Sequence, residues 1–124
     1  MQSALLMTQP IADKVISGEL TGEIRRMKCT SKVGQTIYIA KCKTKTLIGT
    51  VKVQACIPVS PVEAKDHPWY SLSYICVPFD PNYTKPRYEW IFTDPVKFDK
   101  PIPYEHPRGA QIWVKLNHTA IPPA

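Results

Sequence analysis

No stretch of this chain approaches the about 20 consecutive apolar residues that a membrane-spanning helix needs, and the run Ala4–Met7 is far too short. Met1–Gln9 also lacks the basic start, longer apolar run and small-residue cleavage site of an export signal, so a cytoplasmic protein without membrane contact is expected. On that footing the sequons Asn82-Tyr83-Thr84 and Asn117-His118-Thr119 read as fortuitous. Cysteine is sparse: Cys29, Cys42, Cys56 and Cys76 are widely spaced and never form the Cys-x-x-Cys pairs of zinc ribbons or thioredoxin-like centres. Neither metal nor cofactor is expected, and the thiols read as free and at least half-buried. Glycine is also scarce, with 5 residues against 13 prolines. Proline removes backbone donors and breaks helix interiors, so this balance disfavours a helical bundle and favours short strands and ordered loops.

Acidic residues are missing altogether between Glu23 and Glu63. The same interval holds Arg25, Arg26, Lys28, Lys32, Lys41, Lys43, Lys45 and Lys52, and the whole chain carries a formal charge of +6. Such a single-sign stretch puts positive potential on one part of the surface. It fits a polyanion footprint, nucleic acid first, and equally a face kept soluble by lysine.

What is present describes one domain. The 124 residues suffice for one core and are too few for two ordinary domains, and 44% hydrophobic with 21% charged residues is a globular composition. Ser3–Thr8 reads as a strand, and Pro10 suits the first turn of a helix over Ile11–Ser17, where Ile11, Ala12, Val15 and Ile16 fall on one face and Gly18 takes the C-terminal cap. Thr21–Arg26 reads as a strand with Thr21, Glu23 and Arg25 on one side and Gly22, Ile24 and Arg26 on the other. Thr36–Cys42, a polar hairpin link at Lys43–Thr46 and a long strand Leu47–Ile57 follow. Their alternation predicts antiparallel pairing with one buried face.

Residues 58–87 form an irregular insertion rich in proline and aromatics, with a helical turn near Pro61–Lys65 and a strand at Leu72–Val77. Tyr88–Phe92, Val96–Phe98 and Gln111–Leu116 resume strand character. The domain is expected over 1–118, with 119–124 as a tail.

The segment Thr8-Gln9-Pro10-Ile11-Ala12-Asp13-Lys14-Val15-Ile16-Ser17-Gly18-Glu19-Leu20-Thr21-Gly22-Glu23-Ile24-Arg25 resembles the signature of ASCH domains, small relatives of the PUA RNA-binding fold. In that signature a strand leads through a Gln-Pro-like turn into one helix and then the pattern G-x-K-x-x-E-x-R. Gly18, Glu23 and Arg25 match it, whereas Leu20 stands at the lysine. Gly49-Thr50-Val51-Lys52-Val53, Tyr88-Glu89-Trp90, Pro101-Ile102-Pro103 and Gly109-Ala110-Gln111-Ile112-Trp113 resemble the family's later strands in order. The resemblance implies a mostly β fold with one or two helices, a small PUA-like antiparallel β-barrel, and a cleft beside the Glu-x-Arg strand that takes RNA or a nucleotide.

The residues themselves fit that role. Glu23 and Arg25 share a strand face, so the carboxylate offers an acceptor to a base edge and the guanidinium a planar fork to phosphate; an internal ion pair is the competing reading. Gln9, Thr21, Glu23, Arg25, Arg26 and Lys28 are the candidate binding residues, with Trp90 as the aromatic candidate. Trp69 and Tyr70 are candidates for a stacking flap.

Some ASCH-like proteins are amidohydrolases of acetylated cytidine, with a lysine and a threonine where this chain has Leu20 and Glu23. Leucine neither accepts nor bears a proton, and glutamate lacks the hydroxyl, so that activity is disfavoured unless Thr21 or the nearby Lys28 substitutes. Were the chain a ribonuclease, Glu23 is the candidate base and Arg25 the cationic stabiliser. His67, His106 and His118 lie outside the motif and read as surface or loop residues. A protein-interaction domain with an acidic partner is the third class.

Overall fold

In the computed structural model, residues 3–25, 27–59, 87–105 and 113–116 are described. The elements are β1 (Ser3–Met7), α1 (Gln9–Ile16), β2 (Gly22–Arg25), a single 3-10 turn (Thr30–Lys32), β3 (Thr36–Lys41), β4 (Thr46–Val59), β5 (Arg87–Pro103) and β6 (Trp113–Lys115). The strands make one sheet in the order β2-β5-β4-β3-β1-β6. Every neighbouring pair is antiparallel except β1 and β3, which run parallel with Leu5 opposite Ile39. Among the described residues this is a mostly antiparallel, mixed sheet with one α-helix. The parallel pair is what inserting α1 and β2 between β1 and β3 permits, because a parallel return needs a crossover.

The helix forms where proline and spacing put it. Pro10 sits in the first turn, Ile11, Ala12, Val15 and Ile16 are buried, and Gly18 adopts φ +82 just past the C-terminal cap. Those four side chains pack on Ile37, Ile39, Val51, Val53, Trp90 and Phe92 in the main core. Each fully buried aliphatic of this size contributes about 1.5–3 kcal/mol relative to exposure.

The expected single buried face is corrected to two. Leu5, Met7, Ile37 and Ile39 enter the main core, while their alternate neighbours Ala4, Tyr38 and Ala40 are buried in a second cluster with Leu47, Tyr104, Val114 and Leu116. Phe98 and Ile102, from the late part of β5, pack against that cluster and help cover a face the alternation alone assigned to water. The long apolar face expected of Leu47–Ile57 also breaks. Register shifts at Thr50/Lys52 and Val53/Ala55 interrupt the ladder, and Ile57 is 46% exposed.

The two strands expected at Tyr88–Phe92 and Val96–Phe98 form one bent strand, β5, with Asp94 at φ +52 in the bend. Pairing of Pro58 with Tyr88 and of Val59 with Arg87 carries the β4–β5 ladder into the ends of the interval read as an insertion. The helical turn expected at Pro61–Lys65, the strand at Leu72–Val77, Trp69, Tyr70 and all three histidines lie outside the described residues.

The sheet curls so that β2 and β5 at one end approach β1 and β6 at the other. Arg25 of β2 donates from Nη2 to the Leu6 carbonyl of β1 at 3.0 Å, and Trp90 of β5 stacks on Trp113 of β6 with centroids 6.0 Å apart. Both contacts bridge strands that are not neighbours in the sheet, which gives the half-barrel its closure. Among the described residues no helix is long and apolar enough to cross a membrane.

Candidate functional site

Residues Ser17–Thr21 deliver β2 to the interior. Ser17 donates its N–H to Asp13, Gly18 to Val15 and Leu20 to Lys14, which ends the helix and turns the chain. Leu20, at the family's lysine position, is buried in the main core. Thr21 is exposed, and its carbonyl accepts the Phe92 N–H at 2.8 Å.

All four residues of β2 are then buried. Ile24 meets Val59 on one side. On the other, Glu23 is fully buried and Arg25 is 5% exposed. Arg25 Nε–H donates to Glu23 Oε1, Nη2–H donates to Leu6 O, and the guanidinium carbon lies 5.4 Å from the Trp90 ring centroid. A cation within about 6 Å of an indole is attracted by the ring's negative face. Trp90 is itself fully buried and anchored by its Nε1–H, which donates to Met27 O at 2.9 Å.

The arrangement continues outward. Trp90 stacks on Trp113 with 29° between planes, and the Lys32 ammonium lies 5.1 Å from the Trp113 centroid. Cation, indole, indole and cation thus form a ladder from buried Arg25 to half-buried Lys32. At its inner end one group is unsatisfied: Glu23 Oε2 is buried and has no hydrogen-bond partner among the described residues.

Of the residues singled out in the sequence, Glu23, Arg25 and Trp90 are therefore brought together. Gln9 is exposed and donates from Nε2 to Cys42 O at 3.2 Å, at the base of the β3–β4 hairpin. Lys28 is exposed, and Arg26 lies outside the described residues. A cavity of about 140 Å³ lies elsewhere, between the end of α1 and the bend of β5, lined by Leu20, Thr21, Phe92 and Asp94 among others. Glu23, Arg25 and Trp90 do not line it. Among the described residues no three His, Cys, Asp or Glu side chains gather as a metal site would require.

Sequence reasoning missed the Leu6 and Met27 carbonyls and the pairing of Lys32 with Trp113. Backbone acceptors leave no mark in composition, and the Trp90–Trp113 stack depends on closure between β5 and β6, which are not sheet neighbours.

Comparison with known proteins places this geometry. The ASCH domain model matches residues 5–102. The chain belongs to the ASCH domain family. The crystal structure of ASCH from Zymomonas mobilis superposes on this ASCH domain with TM-score 0.65 at 17% identity, over 82% of this chain and 73% of that one. A serine-to-alanine variant of the same protein gives TM-score 0.71 at 15% identity, over 94% and 89% of the two chains. At these identities the likeness establishes a shared fold. No curated protein matches the chain.

Proposed function

We propose that this ASCH domain binds single-stranded RNA or a nucleotide, with the base read at Glu23 and the phosphates met by surface lysines. The observation that carries the reading is Glu23 Oε2, a buried carboxylate oxygen without a donor among the described residues. Leaving such an acceptor unsatisfied costs about 1–3 kcal/mol, and a base amine or imino N–H would satisfy it. Arg25 fixes the carboxylate through the other oxygen.

The guanidinium is turned inward, so the phosphate role falls to lysines. Lys28 is exposed, and Lys32 holds a second positive charge over the half-buried Trp113. Hydrolysis is the weaker reading, because Leu20 is a core residue and brings no proton-carrying group to the motif.

Titration against a short single-stranded RNA in rising salt tests the proposal. Log affinity should fall linearly with log salt, with a slope of about −0.7 per neutralised phosphate, and Glu23→Gln should weaken binding without changing that slope. No binding even at low salt overturns it.

A further inference from the structure

The β3–β4 hairpin carries a feature that the base site does not use. Its link holds Lys43 at φ 68 and Lys45 at φ 55, two of the three non-glycine residues with positive φ among the described residues. Left-handed backbone suits glycine or asparagine, and a long side chain there is strained. Strain kept in a short exposed loop is a pointer to function, and here the two strained residues bear like charges.

The loop is also held firmly. Thr44 Oγ1–H donates to Lys41 O at 2.8 Å, and the same oxygen lies 2.7 Å from Thr46 Oγ1. Tyr104 N–H donates to Lys45 O at 3.0 Å, Cys42 N–H to Met7 O at 2.7 Å, and Gln9 Nε2–H to Cys42 O at 3.2 Å. Lys41 is engaged with Asp13 at 2.9 Å. Lys43 and Lys45 are exposed and form no ion pair with any described residue. Two ammonium groups without an ion-pair partner among the described residues are thereby presented on a fixed frame.

The frame sits beside the base site. Leu6 O accepts from Arg25, and the next carbonyl, Met7 O, accepts from Cys42 at the start of the hairpin. The anchor of the Glu23–Arg25 pair and the anchor of the lysine loop are therefore consecutive residues of β1.

We propose that the Lys43-Thr44-Lys45 hairpin is a preorganised phosphate clamp for the backbone of a single-stranded RNA whose base is held at Glu23. The inference rests on the binding mode proposed above and adds a second, sequence-independent contact to it. Backbone contacts of this kind position the strand and carry no base information.

The test uses Lys43→Asn/Lys45→Asn, which removes both charges and keeps residues that tolerate left-handed backbone, so the thermal midpoint should hold or rise. Wild type, this variant and Glu23→Gln are titrated with a single-stranded RNA of about 12 nucleotides in rising salt. For the hairpin variant the salt slope should become shallower by about 1.4, two phosphates' worth. Glu23→Gln should lower affinity at unchanged slope. A hairpin variant with the wild-type slope overturns the clamp and leaves the base site standing. Failure of wild type to bind at low salt overturns both.

Discussion

Glu23 and Arg25 alternate along β2 and satisfy each other inside the fold, Nε–H of the arginine donating to one carboxylate oxygen while the other has no partner among the described residues. Removing one member of a buried pair leaves an uncompensated charge, which costs about 3–5 kcal/mol. Arg25→Met should therefore destabilise strongly. Glu23→Gln should cost less, because the amide oxygen still accepts from Nε–H and the Leu6 carbonyl still holds the guanidinium. In a cycle of Glu23→Leu, Arg25→Met and the double variant, denaturant unfolding should report a coupling of about 2–3 kcal/mol. Additive single effects would show that the pair is not energetically one unit.

Much of this molecule was legible in the sequence, and the unread parts have physical causes. Helix α1 was marked three ways, by Pro10, by the spacing of Ile11, Ala12, Val15 and Ile16, and by Gly18. The helix begins at Gln9, two residues before the Ile11 start that the spacing predicts, because Thr8 caps without a side-chain bond and leaves no clear signal. Strand parity puts Glu23 and Arg25 on one face, and there the two side chains meet. Their depth was not legible, since alternation says which side a residue faces and not what covers that side. The same gap explains the second buried cluster: Tyr38 and Ala40 look solvent-facing until Val114 and Leu116 are laid beside them.

Gly49 gives a prediction that needs no ligand. A Cβ built there would lie 2.1 Å from the Val96 carbonyl oxygen and 3.0 Å from Ile16 Cδ1. The first neighbour is backbone of β5 and cannot rotate away. Gly49→Ala should therefore push β4 from β5 and helix α1, costing about 3 kcal/mol, at the upper end of ordinary overpacking. Chemical denaturation measures this, and a variant as stable as wild type would contradict the close approach of the two strands.

Trp90 is a buried inner rung of the ladder and Lys32 its outer end, so the two should separate stability from binding. Trp90→Phe keeps much of the ring volume and loses the N–H donated to Met27 O, so unfolding free energy should fall by about 1–3 kcal/mol as that buried carbonyl goes unpaired. Lys32→Ala removes a half-buried surface cation and should leave stability within about 0.5 kcal/mol, as expected of surface substitutions. Its effect should appear in RNA affinity and salt slope instead. If Lys32→Ala unfolds the domain, the outer rung is structural and the assignment of that surface to a ligand fails.

Cys29 predicts an alkaline limit to stability. Burial first, and then the Cys56 thiol beside it, push the Cys29 thiol far above its ordinary value of 9.0. Its backbone N–H donates to Cys56 Sγ at 3.1 Å, and its own sulfur faces Ala55 O at 3.9 Å. The folded state thus keeps a proton that the unfolded chain releases above about pH 9, so the unfolded state binds fewer protons there and stability falls as pH rises. Below that point the contribution is fully present. The loss should approach, and not exceed, about 1.4 kcal/mol per pH unit. Tyr104, raised chiefly by burial, acts in the same direction but is common to wild type and Cys29→Ala and cancels in their comparison. Denaturant unfolding of both proteins at pH 8 and again about two units higher should therefore show a smaller alkaline loss in Cys29→Ala. In the folded wild type at pH 8, iodoacetamide should label half-buried Cys42 and Cys56 before fully buried Cys29. Equal alkaline losses in the two proteins, together with early labelling of Cys29, would mean that this thiol titrates as if exposed.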